Sequence, residues 1–253
     1  MFPLKDDNPT EIFPLITLLI IGACLAAWVL LQGAGLDERA LIDSVCALGA
    51  IPAELTRDAR GTVPLGPGAS CTLGGFTWGT LLTSMFLHGS WMHLLGNMWF
   101  LWIFGNNIED SMGHMRFVLF YLLTGLAAAG AHVLSEPSSP VPTVGASGAI
   151  SGIMGAYLVL YPRARVLTAV VLVFFIRLVP LPAWVMLGYW FFIQLLSGMT
   201  VQAGTGGVAF WAHIGGFVAG LALVLLFRNP RLVEAKRAHV KLPPGRIEHG
   251  GWW

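Results

Sequence analysis

The sequence predicts an all-α polytopic membrane protein, a bundle of six transmembrane helices. Three observations lead there. Of its 253 residues, 56% are apolar and only 11% charged, with a mean hydropathy of +0.73. Apolar runs close to the ~20 residues that cross ~30 Å of hydrocarbon recur along the chain. The charged residues fall between those runs or at their ends. A soluble domain carries about 25% charged residues, so a soluble globule could not cover its surface with so few. A cytosolic enzyme and a disordered protein are excluded on that ground. A net charge of +1 leaves no electrostatic footprint for nucleic acid, so no nucleic-acid partner is expected.

The elements follow in order. Residues 1–12 form a short N-terminal tail, acidic-leaning and unlike a signal peptide. The first span is 13–32. Residues 33–80 make a long outer loop. It holds LDERALIDSVCALGA, read as an interfacial helix, and then Gly/Pro-rich sequence. The remaining spans are 81–105, 116–134, 145–161, 182–198 and 209–227, of which 145–161 and 182–198 are short. A further apolar run, Val166 to Ile176, is stopped by Arg177, Pro180 and Pro182. It reads as a cytosolic-side hairpin or interfacial segment, not a seventh span. Residues 229–253 form a polar, basic tail expected to fray. The membrane domain is thus 13–228, with no repeat and no separate soluble domain.

Charge orients the bundle. With both termini cytosolic, eleven basic residues lie inside and three, Arg39, Arg57 and Arg60, outside, which accounts for all 14. The positive-inside rule prefers this arrangement. Three cysteines cannot build a disulfide framework. Cys46 and Cys71 share the outer loop, where they either pair in an oxidising compartment or remain two thiols.

Polar groups at membrane depth are costly, so each is a functional candidate. Few exist here. Span two carries His88, His93 and Asn97; span four opens with Ser147 and Ser151; span six opens with His213. At 1.5 Å per residue, Ser147 lies ~24 Å above Arg163, His213 ~22 Å above Arg228 and His93 ~24 Å above Glu109. Three helices distant in the chain therefore place them at nearly one height. Asn97 lies one turn deeper than His93 on the same face. Taken singly, Ser147 is a small packing residue and His213 an interhelical hydrogen-bonding group. Gly148-x3-Gly152 and Gly216-x3-Gly220 are patterns of close helix packing. His114, His239 and His249 are read as solvated.

A serine and a histidine at one depth suggest a nucleophile and its general base. Asn97, His93 and the Ser147 N–H are candidate donors to an oxyanion. Glycines beside Ser147 allow a substrate backbone to approach. Between residues 80 and 227 the only acids are Glu109, Asp110 and Glu136, all at span ends. A Ser–His dyad without a carboxylate is the better reading. The same shortage excludes an aspartyl protease. A His-Glu-x-x-His zinc site is disfavoured, because His88 and His93 are five apart with no Glu between. No metal or other cofactor is expected.

These residues resemble the rhomboid family of intramembrane serine proteases. The resemblance rests on His88-x4-His93-x3-Asn97, Gly145-Ala146-Ser147-Gly148 and Ala212-His213-x2-Gly216-x3-Gly220, in order and on the right spans across about 80–227. It implies a six-span rhomboid-like bundle with Ser147 as nucleophile and His213 as base. It implies that His93, Asn97, the Gly145 segment and the Ser147 amide form the oxyanion and substrate site. His88, Ser151, Gly148, Gly216 and Gly220 become structural residues near it. Span five and a cap loop, Ser197–Gly207, become the substrate entrance. The partners implied are the lipid bilayer and transmembrane protein substrates, cleaved near the outer face. The compact chain suggests a bacterial plasma membrane. Two departures stand out. A tyrosine that stacks on the catalytic histidine in some members is Ser151 here, so the imidazole must be oriented by something else. The Trp-Arg pair of the first outer loop has only Trp78 as a counterpart. A non-proteolytic membrane-protein binder or chaperone on the same fold is the alternative; inactive relatives usually lose the serine or histidine, and both are present.

Overall fold

A computed structural model of the chain describes residues 1–66, 68–74, 78–172, 175–200 and 207–237. The fold is mostly helical but not all-α. Five strands occur among the described residues: β1 (Phe2–Asp6), β2 (Gly61–Gly66), β3 (Ala69–Leu73), β4 (Arg165–Leu172) and β5 (Phe175–Pro182). Helices α1 (Leu15–Leu30), α2 (Glu38–Leu48), α3 (Pro52–Leu55), α4 (Thr80–Thr83), α5 (Trp91–Phe100) and α6 (Asn106–Met112) are followed by α7 (His114–Ser135), α8 (Ser147–Leu160), α9 (Ala183–Thr200), α10 (Phe210–Phe227) and α11 (Pro230–Arg237).

Among the described residues, α7, α9 and α10 are each long and apolar enough to cross a membrane. The apolar helices α1 and α8 are shorter, 16 and 14 residues. Segment 81–105 is not one helix. The chain breaks after Phe86, Ser90 caps α5, and the helix then runs through a π-helical turn at Leu101–Gly105 into α6. Ser90 decides the start: its hydroxyl accepts the His93 N–H at 3.1 Å, as an N-cap does.

Helix α8 is the centre of the molecule. It is buried along nearly its whole length and packs against α7 and α10. Two glycine pairs permit this. A Cβ on Gly216 would strike the Gly148 carbonyl, and one on Gly220 the Gly152 carbonyl, so α8 and α10 touch backbone to backbone. Apolar side chains of the surrounding helices point outward, among them Leu19, Leu30 and Leu226, as a hydrocarbon solvent requires.

The outer loop holds more structure than its composition suggests. The expected helix forms as α2, capped by Asp37. Strands β2 and β3 form a hairpin behind it, and Cys46 is joined to Cys71 across a sequence separation of 25. Free Cys24 is buried in the core.

At the Glu109 end, remote acids finish the helices. Pro14 precedes α1 and offers no side-chain cap. The buried Glu109 carboxylate accepts the Ile16 and Thr17 N–H groups at 2.8 Å each and the Thr17 hydroxyl at 2.7 Å. A carboxylate at a helix N-terminus is favourable. Glu109 also lies 2.6 Å from His114 Nδ1, so this histidine is paired and not merely solvated. His239 and His249 lie outside the described residues.

Two segments expected as tail, Phe2–Asp6 and Pro230–Arg237, form regular structure. β1 joins the β4–β5 hairpin in a three-stranded antiparallel sheet, order β1-β4-β5. The run at 166–176 is thus a hairpin. Phe2 packs on Trp99 and Phe100, Trp99 Nε1 donates to the Pro3 carbonyl at 2.7 Å, and Asp6 accepts from Asn107 and Tyr157. At the other end, α11 is docked through Lys236, whose ammonium donates to Asn107 and Asp110 at 2.7 Å each. The expected fraying of 229–253 is therefore wrong for 230–237; residues 238–253 lie outside the described residues.

Candidate active site

Ser147, His213, His93 and Asn97 come together around one cavity, at the end of the bundle opposite Glu109. Gly145 turns the chain into α8 with φ +128, a conformation that side-chain-bearing residues rarely adopt. Its N–H is anchored on the Ser84 carbonyl at 2.9 Å. Ser147 is the first residue of α8, and Ala146 before it provides no side-chain cap. The Ser147 N–H therefore has no intrahelical acceptor and sits at the positive end of the helix dipole.

His213 lies in the first turn of α10. Its Nε2 is 2.8 Å from Ser147 Oγ, although 66 positions separate them in sequence. Its Nδ1 is 2.8 Å from Gln194 Oε1 on α9. Trp190, one turn earlier on α9, sets its ring 5.8 Å from the imidazole centroid. Gln194 and Trp190 were not among the residues the sequence singled out. The rule that flags His93, a polar group inside an apolar run, flags Gln194 equally well. Ser151 does not reach the imidazole; its hydroxyl donates to the Ser147 carbonyl at 2.7 Å, within its own helix.

His93 and Asn97 lie on one face of α5. The Gly89 N–H donates to His93 Nδ1 at 3.3 Å, which leaves the ring proton on Nε2. That nitrogen would lie 2.8 Å from a Cβ on Gly145, and Asn97 Nδ2 3.6 Å from it. Two donors therefore face the turn before Ser147. Asn97 Nδ2 is buried and has no hydrogen-bond partner among the described residues.

His88 lies in the break before α5. It is fully buried, with its ring edge-on to His93 at 5.1 Å. Gln32, just past α1, clamps its backbone: Oε1 accepts the His88 N–H at 2.8 Å and Nε2 donates to the His88 carbonyl at 2.7 Å. Gln32, like Gln194, is a buried amide at the edge of or within an apolar run. Gly148, Gly216 and Gly220 are the close-packing positions described above, and Gly148, next to Ser147, also lines the cavity.

Ser147, His213, His93, Asn97, Trp190 and His132 all line one cavity of about 730 Å³. Its size is within the range of small-ligand clefts. Of the expected cap loop, residues 197–200 are the last turn of α9 and 201–206 lie outside the described residues. Among the described residues, no group of three or more His, Cys, Asp or Glu is placed to hold a metal ion.

Comparison with known proteins fits this architecture. The family model described as the rhomboid domain matches residues 75–230, more than half the chain. Rhomboid-like protein 11, chloroplastic, of Arabidopsis thaliana is 41% identical over 76 residues, 30% of this chain and 27% of that protein. Rhomboid protease GluP of Bacillus subtilis is 42% identical over 81 residues, 32% of this chain and 15% of that protein. RHOMBOID-like protein 7 of Arabidopsis thaliana is 30% identical over 203 residues, 72% of this chain and 57% of that protein. The match thus spans about a quarter or less of the first two relatives. A serine at a helix start, a histidine within hydrogen-bond reach of it and a domain match over the same helices lead to one conclusion: the chain belongs to the rhomboid family.

Proposed function

We propose that this protein is an intramembrane serine endopeptidase that cleaves transmembrane-helix substrates near the outer membrane face. The observation that carries the reading is the 2.8 Å contact between His213 Nε2 and Ser147 Oγ. Serine is a weak nucleophile at neutral pH and needs an adjacent base. His213 takes the Ser147 proton as Oγ attacks the scissile carbonyl carbon, then gives it to the leaving amine as the peptide C–N bond breaks. Water attacks the resulting acyl-enzyme with the same imidazole as base. The Ser147 N–H, His93 Nε2 and Asn97 Nδ2 supply the donors for the oxyanion in each step. Donors fixed before the reaction cost no reorganisation when charge develops.

The supporting topology is six spans, with α5, the π-helical turn and α6 together making the second. Both termini are cytosolic, and 13–228 is the membrane domain. Residues 33–80 face the outside, where the Cys46–Cys71 disulfide suits an oxidising compartment. A bacterial plasma membrane fits this arrangement. The intact Ser147–His213 pair favours proteolysis over a binder or chaperone role.

The test is cleavage of a single-span reporter by purified protein in proteoliposomes. Wild type cleaves; Ser147→Ala and His213→Ala do not, while all three melt normally. Undiminished cleavage by Ser147→Ala refutes the dyad.

A further inference from the structure

We infer that Gln194 is the positioning residue of the catalytic array, a carboxamide that holds His213 in the tautomer and orientation the base needs. The inference rests on the protease reading above. It adds a third member, on a third helix, to a pair that lacks a carboxylate.

The geometry is direct. Gln194 Oε1 lies 2.8 Å from His213 Nδ1, and Ser147 Oγ lies 2.8 Å from Nε2, on the opposite side of the ring. An amide oxygen only accepts hydrogen bonds, so the ring proton sits on Nδ1 and the Nε2 lone pair faces the Ser147 hydroxyl. In the other tautomer Nε2–H would point at Ser147 and could not take its proton. Trp190 restrains the ring plane from the same helix. The pair therefore performs two tasks that an acid and its packing perform in triads with a carboxylate: choosing the tautomer and fixing the ring. A neutral amide performs both without placing a charge inside the membrane, where ionised groups are expensive.

Helix α9 gives a second reason to assign Gln194 this role. Its buried residues are Ala183, Met186, Leu187 and Gln194. The first three lie in its opening turns. Gln194 is the one buried side chain of its second half, and what it meets there is the base. A glutamine 8% exposed in an otherwise apolar, outward-facing stretch is hard to explain by packing: leucine or methionine would fill the same volume without a polar group to satisfy. The array is complete only when α9 lies against α10.

Two variants separate the alternatives. Gln194→Met keeps the shape and removes the acceptor; Gln194→Glu keeps an acceptor and offers no amide donor. Each is compared with wild type by the rate at which a fluorophosphonate labels Ser147, by kcat and KM on the reporter, by the acid limb of the pH–kcat/KM profile and by thermal melting. Gln194→Met is expected to lower the labelling rate and kcat about ten- to a hundredfold, with KM and the melting temperature nearly unchanged. Gln194→Glu is expected to retain labelling and to move the acid limb to higher pH, because a carboxylate stabilises the imidazolium. Gln194→Met that labels and cleaves like wild type overturns the inference. So does Gln194→Glu that folds normally but labels no better than Gln194→Met, since the amide would then act as a donor. The labelling ratio needs no peptide substrate. A wild type that labels but does not cleave would therefore count against the protease reading and leave the Gln194 result readable.

Discussion

Replacing Gly220 by alanine tests whether the backbone contact between α8 and α10 sets the spacing of Ser147 and His213. An ideal Cβ at Gly220 would lie 2.6 Å from the Gly152 carbonyl carbon and 2.7 Å from its Cα, with the carbonyl oxygen closer still. Carbon atoms rest about 3.5–4.0 Å apart. All the obstructing atoms are backbone, so no side chain can swing away. The helices must part by about 1 Å. His213 lies two turns above Gly220 on the same helix, and its 2.8 Å bond to Ser147 spans the same interface. Parting by that amount takes the pair out of hydrogen-bond range. A misplacement of about 1 Å costs about a hundredfold in rate, and overpacking costs about 1–3 kcal/mol of stability. Gly22→Ala and Gly130→Ala are the controls, since nothing lies within 4 Å of a Cβ at either. They should be neutral, or stabilising by up to ~1 kcal/mol through helix propensity. The assay is reporter cleavage in proteoliposomes with a thermal melt of the same samples. If Gly220→Ala cleaves within about twofold of wild type and melts at the same temperature, the α8–α10 contact does not control the site and the reasoning fails.

Three further outcomes are expected. Glu109→Ala strips the α1 cap and leaves the Ile16 and Thr17 N–H groups unsatisfied; each charged hydrogen bond is worth about 1.5–3 kcal/mol, so a large fall in melting temperature should follow, with Glu109→Gln intermediate. Alkylation of denatured, unreduced protein should modify Cys24 alone, and reduction should expose Cys46 and Cys71 as well; three reactive thiols without reductant would contradict the disulfide. Burial pushes the Asp6 carboxyl up from 3.8 to about 6, against the opposing Tyr157 hydrogen bond and Lys236 charge. The native state therefore binds this proton more tightly than the unfolded chain. The resulting stabilisation is complete below about pH 4 and is lost as pH rises through about 6, amounting to roughly 3 kcal/mol over the full window. Denaturation midpoints between pH 5 and 7.5 should show this slope in wild type and lose it in Asp6→Asn.

A helix has a constant rise, so counting residues from the charged ends of three helices was enough to bring Ser147, His213 and His93 to one level. The α5 region shows where counting stops. A cap at Ser90 restarts the helix and a π-helical turn changes its pitch, so 81–105 is not one continuous helix, although His93 and Asn97 lie one turn apart on α5. The all-α expectation failed in the same manner. Residues 166–176 carry no period that separates a buried strand from an interfacial helix, and β1 becomes a strand only because β4 lies beside it.

What the sequence by itself determined was the set of groups and their levels: the apolar runs, the charge asymmetry, and a serine and two histidines stranded at nearly one depth with an asparagine one turn deeper. These follow from local composition and the fixed geometry of a helix. Only the tertiary structure decided which side of each helix faces its neighbour. That choice depends on contacts between residues far apart in the chain. It put Gln194 on the far side of His213, Gln32 around the His88 backbone, Glu109 at the start of α1 and Lys236 against Asp110. Each is a buried polar group satisfied by a remote partner, because burial removes the water that would otherwise satisfy it.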